Sequence, residues 1–495
     1  MPFNTIISKI MLMRLPQIEN FMKNPLDVQH KVFLSLIDSA KDTVYGKFYN
    51  YKSIKNEEQF KRIPINDYNS LLPFFDRIMK GEQNVLWSSD IKWFSKSSGT
   101  TSNKSKLIPV SKESLEDCHY KGGKDMLALY CNNNPESNIF SGASLALGGS
   151  KQNDISSVFC GDVSAIIIDN LPFWAEWFRV PKKDIALMPE WEEKLQRMIA
   201  SVSGENVVSL SGVPSWMLVL LKGVMEHTGM KIENVWPNLE AYFHGGVSFR
   251  PYVEQFMKIL PKNINYMETY NASEGFFGLQ DRKDSDSMLL LLDYGIYYEF
   301  IPFEDLDKED KRVINLQEVE IGKNYAMLIS TNGGLWRYLI GDTICFTEKY
   351  PYRFKITGRT KNYINLCGEE VIVDNSDKAL GIACKATDAE IKDYTGAPLQ
   401  DKLSGENRHE WIVEFSIKPN DIDKFIDIFD KALQDVNSDY EAKRYKDLVL
   451  KRPVIHIAKD DLFYQWLKSR NKLGGQHKIP RLSNDRTFID ELLKM

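Results

Sequence analysis

The sequence predicts an α/β protein in two parts: a large N-terminal region of mixed sheets and helices, and a smaller C-terminal α+β region carried on a hinge. Three observations lead there. Helical periodicity and short apolar strand candidates alternate along most of the chain. Its character changes after FKITGRTKNYINLCGEEV (354–371). With 495 residues, 43% of them hydrophobic, it is too long for one core and ample for two.

The elements follow in order. From Leu26 onward, Val28, Val32 and Leu36 recur at helical spacing, with Phe33, Ile37 and Ala40 beside them, which predicts an amphipathic helix. SAIII (164–168), MLLLL (288–292), IYYEFI (296–301) and YAMLIS (325–330) are short buried-strand candidates. Beyond the change of character come an alternating strand at Trp411–Ile417 and a helix with Ile422, Phe425, Ile426, Phe429 and Leu433 on one face. A strand, PVIHIA (453–458), and a terminal helical stretch complete that part. The boundary falls near Gly358–Lys361, dividing the chain into 1–358 and 359–495; a glycine there tolerates the backbone rotation a hinge needs.

Composition excludes several function classes. The balance of 63 basic against 68 acidic residues, net −5, gives no general basic face for nucleic acid or a membrane surface. Cys118, Cys131, Cys160, Cys345, Cys367 and Cys384 are scattered without a C-x-x-C pair, which argues against structural zinc or a disulfide framework. Lys9, Arg14, Pro16 and Glu19 interrupt the partly apolar N-terminus before it reaches spanning length. The expectation is a cytoplasmic protein with reduced thiols.

Five stretches carry candidate chemistry. SSGTTSNKSK (97–106) crowds hydroxyls, amines and one glycine together, so it is either a solvated loop or a holder of phosphate. It lacks the G-x-x-x-x-G-K-[ST] spacing of a Walker loop, and the LIPVS that follows reads as a strand or turn. METYNASEGFFG (267–278) sets Glu274, a hard oxygen ligand of the kind Mg²⁺ prefers, near the flat ring of Tyr270. The same letters fit a helix N-terminus capped by Ser273. In GGLWRYLIGDTICF (333–346), Asp342 would emerge at a strand end to accept ribose hydroxyls, or belong to an ordinary Gly-Asp turn. AYFHGGVSF (241–249) pairs glycines after a possible strand, and His244 reads as a packed or hydrogen-bonded histidine rather than a base. KLGGQHKIPRL (472–482) offers Lys478 and Arg481, which also fit a solvated basic loop.

In that order, with GRTKNYINLCGE before the last, these motifs resemble the acyl-acid amido synthetases of the Gretchen Hagen three family, a branch of the firefly-luciferase-like adenylate-forming enzymes. The resemblance spans nearly the whole chain, including KDTVYGKFY (41–49) and RIPINDYNSLLPFFDRI (62–78). It implies a large adenylate-forming domain and a mobile C-terminal domain. It implies ATP and Mg²⁺ as cofactors, and a small carboxylic acid and an amino acid or other amine as partners. The acid attacks the α-phosphate of ATP, giving acyl-adenylate and pyrophosphate; the amine then displaces AMP and leaves an amide.

Carried onto this chain, the resemblance implies that Ser97, Ser98, Gly99, Thr100 and Thr101 cradle phosphates, assisted by Lys104 or Lys106. Gly245, Gly246 and Tyr270 would flank adenine, with Thr269 and Asn271, Ala272 and Ser273 bordering the nucleotide. Glu274 would ligate Mg²⁺, Asp342 would hold the ribose, and Arg359 would reach it from the hinge. Lys478 would neutralise charge on the reacting acyl-phosphate oxygens, making Lys478, Glu274 and Thr100 the catalytic set. Trp336 and Asn103 depart from the family's usual tyrosine and glycine. An acyl pocket near SGVPSWMLVLL (211–221) and SGASLALGG (141–149) would place Val213 and Trp216 as its lining, although both also fit a core. Two rivals remain. An acyl-CoA ligase would carry glycine where this chain has Leu107 and would end differently from GGQHKIPR; a silent nucleotide-binding protein would make no adenylate.

Overall fold

The computed structural model describes all residues except 1, 98–105, 150–157, 172–174, 307, 361–362, 368, 370, 401–406, 448, 471 and 474–478. The large region is organised by one twelve-stranded sheet. Five strands at one end run parallel: Arg179–Val180, Ala143–Ala146, Val207–Gly212, Ala241–Gly245 and Asn265–Ala272. Parallel neighbours need crossovers, and helices Trp191–Val202, Pro214–Thr228 and Val253–Ile259 supply them. Their apolar faces pack against Leu145, Leu210 and Tyr242 of the strands. After Asn265–Ala272 the chain reverses at Ser273–Glu274 into Gly275–Leu279, and the rest of the sheet is antiparallel.

The predicted helix is present as Pro25–Ala40, burying Val28, Phe33, Leu36, Ile37 and Ala40. Its Gln29 docks it to the sheet: Nε2 donates to the carbonyls of Leu292 at 2.7 Å and Ile296 at 2.9 Å, and Oε1 accepts from the Tyr298 amide at 3.0 Å. The strand candidates at 288–292, 296–301 and 325–330 are strands Met288–Leu290, Ile296–Pro302 and Asn324–Thr331. SAIII is not a strand; it lies in helix Val163–Asp169. A short apolar run has the same composition in either state, and here Val163 and Ile166, one helical turn apart, are buried together.

Two arginines buried in the large region are fully paired. Arg337 sets Nε and Nη2 on Glu299 at 2.9 and 3.0 Å and donates Nη1 to the Lys61 carbonyl at 2.7 Å. Arg353 sets Nε and Nη2 on Asp281 at 2.9 and 2.6 Å.

The C-terminal part has its own sheet of Glu390–Gln400, Asn407–Ile417 and Val454–Ile457, under helices Val373–Thr387 and Ile422–Val436. Trp411, Val413, Phe425, Phe429 and Leu433 form its separate core. The two parts meet in an apolar cluster where Trp191 and Trp216 touch Phe463, Trp466, Leu467 and Ile479. Polar contacts flank it: Gln255 donates to the Ile391 carbonyl at 2.8 Å, and Glu192 accepts from Tyr464 at 2.9 Å and Lys468 at 2.7 Å. No helix among the described residues is long and apolar enough to cross a membrane.

Candidate active site

A cavity of about 400 Å³ opens where the sheet changes from parallel to antiparallel, the crevice beyond the carboxyl ends of parallel strands that ligands favour. It gathers Gly246, the run 269–274, Asp342, Arg359 and Arg481 from the sequence candidates, and adds Asp374, Asp377 and Ile479 from the C-terminal part.

Its centre is a three-residue network. Tyr270 packs its ring against Phe277, with centroids 4.9 Å apart, and against Phe354 at 6.1 Å. Its hydroxyl donates to Asp342 Oδ2 at 2.5 Å. Arg359 Nε lies 2.9 Å from Asp342 Oδ1. The carboxylate is therefore gripped from two sides, while 18% of its side chain stays open. Asp342 does not emerge at a strand end: it lies inside strand Tyr338–Glu348. The ladder there is interrupted, Ala326 pairing with Thr343 and Leu328 with Leu339, and Gly341 takes φ +93°. Such a bulge re-aims a side chain without ending the strand.

Glu274 occupies the turn of a β-hairpin, so the helix-cap alternative does not form. Its carboxyl is pushed up to about 7, first by burial and then by the negative charge of Asp342, while Lys106 and Arg359 pull the other way. The turn is tied to the stem of the hydroxyl-rich loop: Ser95 Oγ donates to Ser273 Oγ at 2.9 Å, two residues before Ser97, which pairs with Lys106 across the strands. Ser98, Gly99, Thr100, Thr101, Lys104 and Lys478 lie outside the described residues, as does the side chain of Ser97. Gly245 is required by close approach, since a Cβ there would sit 2.2 Å from the Thr269 carbonyl. Asn271 is fixed by buried His119, 3.0 Å away, whose imidazole burial lowers to about 4 and keeps neutral.

Residue reasoning missed Glu268, which also lines the cavity and is pushed up to about 7 by burial and by Asp286, against the pull of Arg250. Its only signal was position, two residues before Tyr270 on the same face of a strand. His244 is packed, stacking on Phe249 at 4.1 Å, and burial lowers it to about 3. Val213 and Trp216 do not line this cavity; they belong to the apolar cluster between the two parts. Arg481 is not in a solvated loop: its side chain is 12% exposed, with Nη1 2.5 Å from Asp393.

Three family domains match in order: the GH3 family N-terminal domain over residues 14–264, the central domain over 289–359 and the C-terminal domain over 374–487. The chain belongs to the GH3 family. Among its relatives is the indole-3-acetic acid-amido synthetase GH3.3 of Arabidopsis thaliana, 21% identical over 94% of this chain and 90% of the relative. The 4-substituted benzoates-glutamate ligase GH3.12 of Arabidopsis thaliana is also 21% identical, over 94% of each chain. A solved structure of GH3.15 acyl acid amido synthetase superimposes with a TM-score of 0.78 at 18% identity, covering 97% of this GH3 chain and 94% of that one.

Proposed function

We propose that this GH3 protein is an ATP-dependent acyl-acid amido synthetase, which adenylates a small carboxylic acid and transfers the acyl group to an amino acid or other amine. The observation that carries the reading is the cavity in which Asp342, held by Arg359 and Tyr270, faces the same space as Glu274. Asp342 suits the two ribose hydroxyls, because an ionised carboxylate accepts both. Held in place beforehand, it loses little freedom on binding. The names of the relatives, amido synthetase and glutamate ligase, point to an amine as final acceptor.

A magnesium ion fits the donors present. Among the described residues no group of three or more His, Cys, Asp or Glu is arranged to hold a metal. The ion would therefore take most of its ligands from phosphate oxygens and water, as Mg²⁺ commonly does, with Glu274 as the protein ligand. It would supply screening of the anionic oxygens as carboxylate and triphosphate meet. The raised Glu274 carboxyl agrees, because a cation nearby would offset the charge of Asp342 that now disfavours its ionisation.

In the first step a carboxylate oxygen of the acid bonds to the α-phosphorus and the bond to the β-phosphate bridge breaks, releasing pyrophosphate. Ser97 to Thr101, with Lys104 or Lys106, would hold the departing phosphates, and Lys478 would offset charge at the reacting oxygens. In the second step the amine nitrogen bonds to the acyl carbon, AMP leaves with the electron pair of the broken C–O bond, and the nitrogen loses a proton. No covalent enzyme intermediate is required.

The test is acid-dependent ATP–pyrophosphate exchange over a panel of small carboxylic acids, followed by AMP release with amino acids or with coenzyme A. Exchange with at least one acid and AMP release on adding an amino acid is the expected result. AMP release with coenzyme A alone would make the chain an acyl-CoA ligase. Tight ATP binding with no exchange for any acid would make it a silent nucleotide binder.

A further inference from the structure

Arg481 stands at a junction of three structural constraints. Its guanidinium lies 2.5 Å from Asp393, donates to the Tyr252 hydroxyl at 2.7 Å and sits 4.5 Å from the Tyr394 ring centroid. Asp393 and Tyr394 belong to the C-terminal sheet, whereas Tyr252, 1% exposed, belongs to the large region. The backbone beside it is stitched to the same sheet. Gly396 N–H donates to the Arg481 carbonyl at 2.9 Å, Ser483 N–H to the Gly396 carbonyl at 3.0 Å, and Thr395 Oγ1 to the Pro480 carbonyl at 2.7 Å. Burial raises the carboxyls of Asp393 and of neighbouring Asp377, and Arg481 pulls both back down. Arginine suits this place, since its planar fork serves a carboxylate and a hydroxyl at once and stays charged.

Only Ile479 and Pro480 separate this anchor from Lys478 in the sequence. We propose that Arg481 is a positioning residue that ties residues 479–483, which follow Lys478 in the chain, to the large domain through Tyr252, so that its loss penalises adenylation and spares amide formation. The proposal rests on the reading of Lys478 given above. It adds an arginine at the edge of the cavity and a tyrosine from the opposite part of the molecule. The contact crosses from one part to the other, so it exists only in arrangements that bring Asp393 and Tyr252 together. Rotation of the small domain would break the hydroxyl bond and keep the pair with Asp393.

The experiment compares wild type, Lys478→Ala, Arg481→Lys and Tyr252→Phe in the full chain, with thermal melts to confirm folding. Two readouts are taken: acid-dependent ATP–pyrophosphate exchange, and amide formation from synthetic acyl-adenylate. Tyr252→Phe removes only the bond between the two parts, and Arg481→Lys keeps charge without the fork. Both are expected to slow exchange about tenfold, the scale of one charge-assisted hydrogen bond, and to leave amide formation essentially unchanged. Equal slowing of both steps would reduce Arg481 to a structural residue and overturn the proposal. So would normal exchange in both variants while Lys478→Ala slows it. Normal exchange in Lys478→Ala would instead overturn the assignment of the lysine, and absence of exchange in wild type the proposed function itself.

Discussion

Two buried arginine–carboxylate pairs of the large region contrast with the pair in its cavity. Arg337 with Glu299, and Arg353 with Asp281, are closed: both partners of each pair are at most 5% exposed. The pair in the cavity, Arg359 with Asp342, is 33% and 18% exposed, and two further acids, Glu268 and Glu274, crowd the same space. Their carboxyls are each pushed up to about 7, first by burial and then by a neighbouring acid. A buried pair fixes geometry when every donor is matched, whereas the pair in the cavity keeps part of each side chain open to whatever enters.

The comparison can be broken in four ways. Glu299→Ala leaves Arg337 buried without its counter-charge and is expected to cost about 3–5 kcal/mol of stability, read by urea denaturation, with ATP affinity of the folded fraction unchanged. Asp342→Ala should do the reverse. Losing a charged acceptor costs about 1.5–3 kcal/mol, or roughly 10- to 100-fold in ATP affinity by titration calorimetry, with a smaller change in stability. Unchanged affinity in a folded Asp342→Ala protein would remove this residue from the ribose assignment.

The pH dependence sharpens the contrast further. Glu274 rises from 4.5 to about 7 on folding, so between those values the folded state holds more proton than the unfolded one. Stability contributed by this group is thus full below 4.5 and declines as pH rises through 7. The ligand-free wild type should lose melting temperature over that window relative to Glu274→Gln, and parallel curves would refute the shift. The smallest effect is expected of Tyr270→Phe, which removes one hydrogen bond to Asp342. About 1 kcal/mol, near fivefold in ATP affinity, is the expected loss; a null result would leave Arg359 as the sole grip on the carboxylate.

Periodicity located helix Pro25–Ala40 and the strands at 296–302 and 324–331 because each buries a patterned face. It failed at SAIII, where seven helical residues are too few for a period to declare itself. The cavity residues were legible as an ordered set of motifs, but their contacts were not. Tyr270 and Asp342 are 72 positions apart, and nothing local announces a hydrogen bond across that gap. The bulge that turns Asp342 inward was read as a strand end because Gly341 precedes it. Arg481 was read as solvated because its acid partner, Asp393, lies far back in the chain. Separations of this size are set by topology, which motif order implies and spacing cannot supply.

Trp191 and Trp216 meet edge to face at 4.6 Å beneath residues of the C-terminal part. Indole emission moves to longer wavelength when water reaches the ring. This protein therefore carries its own optical gauge: a swing that lifts Phe463 and Trp466 away would redden the fluorescence of the pair, with no dye attached.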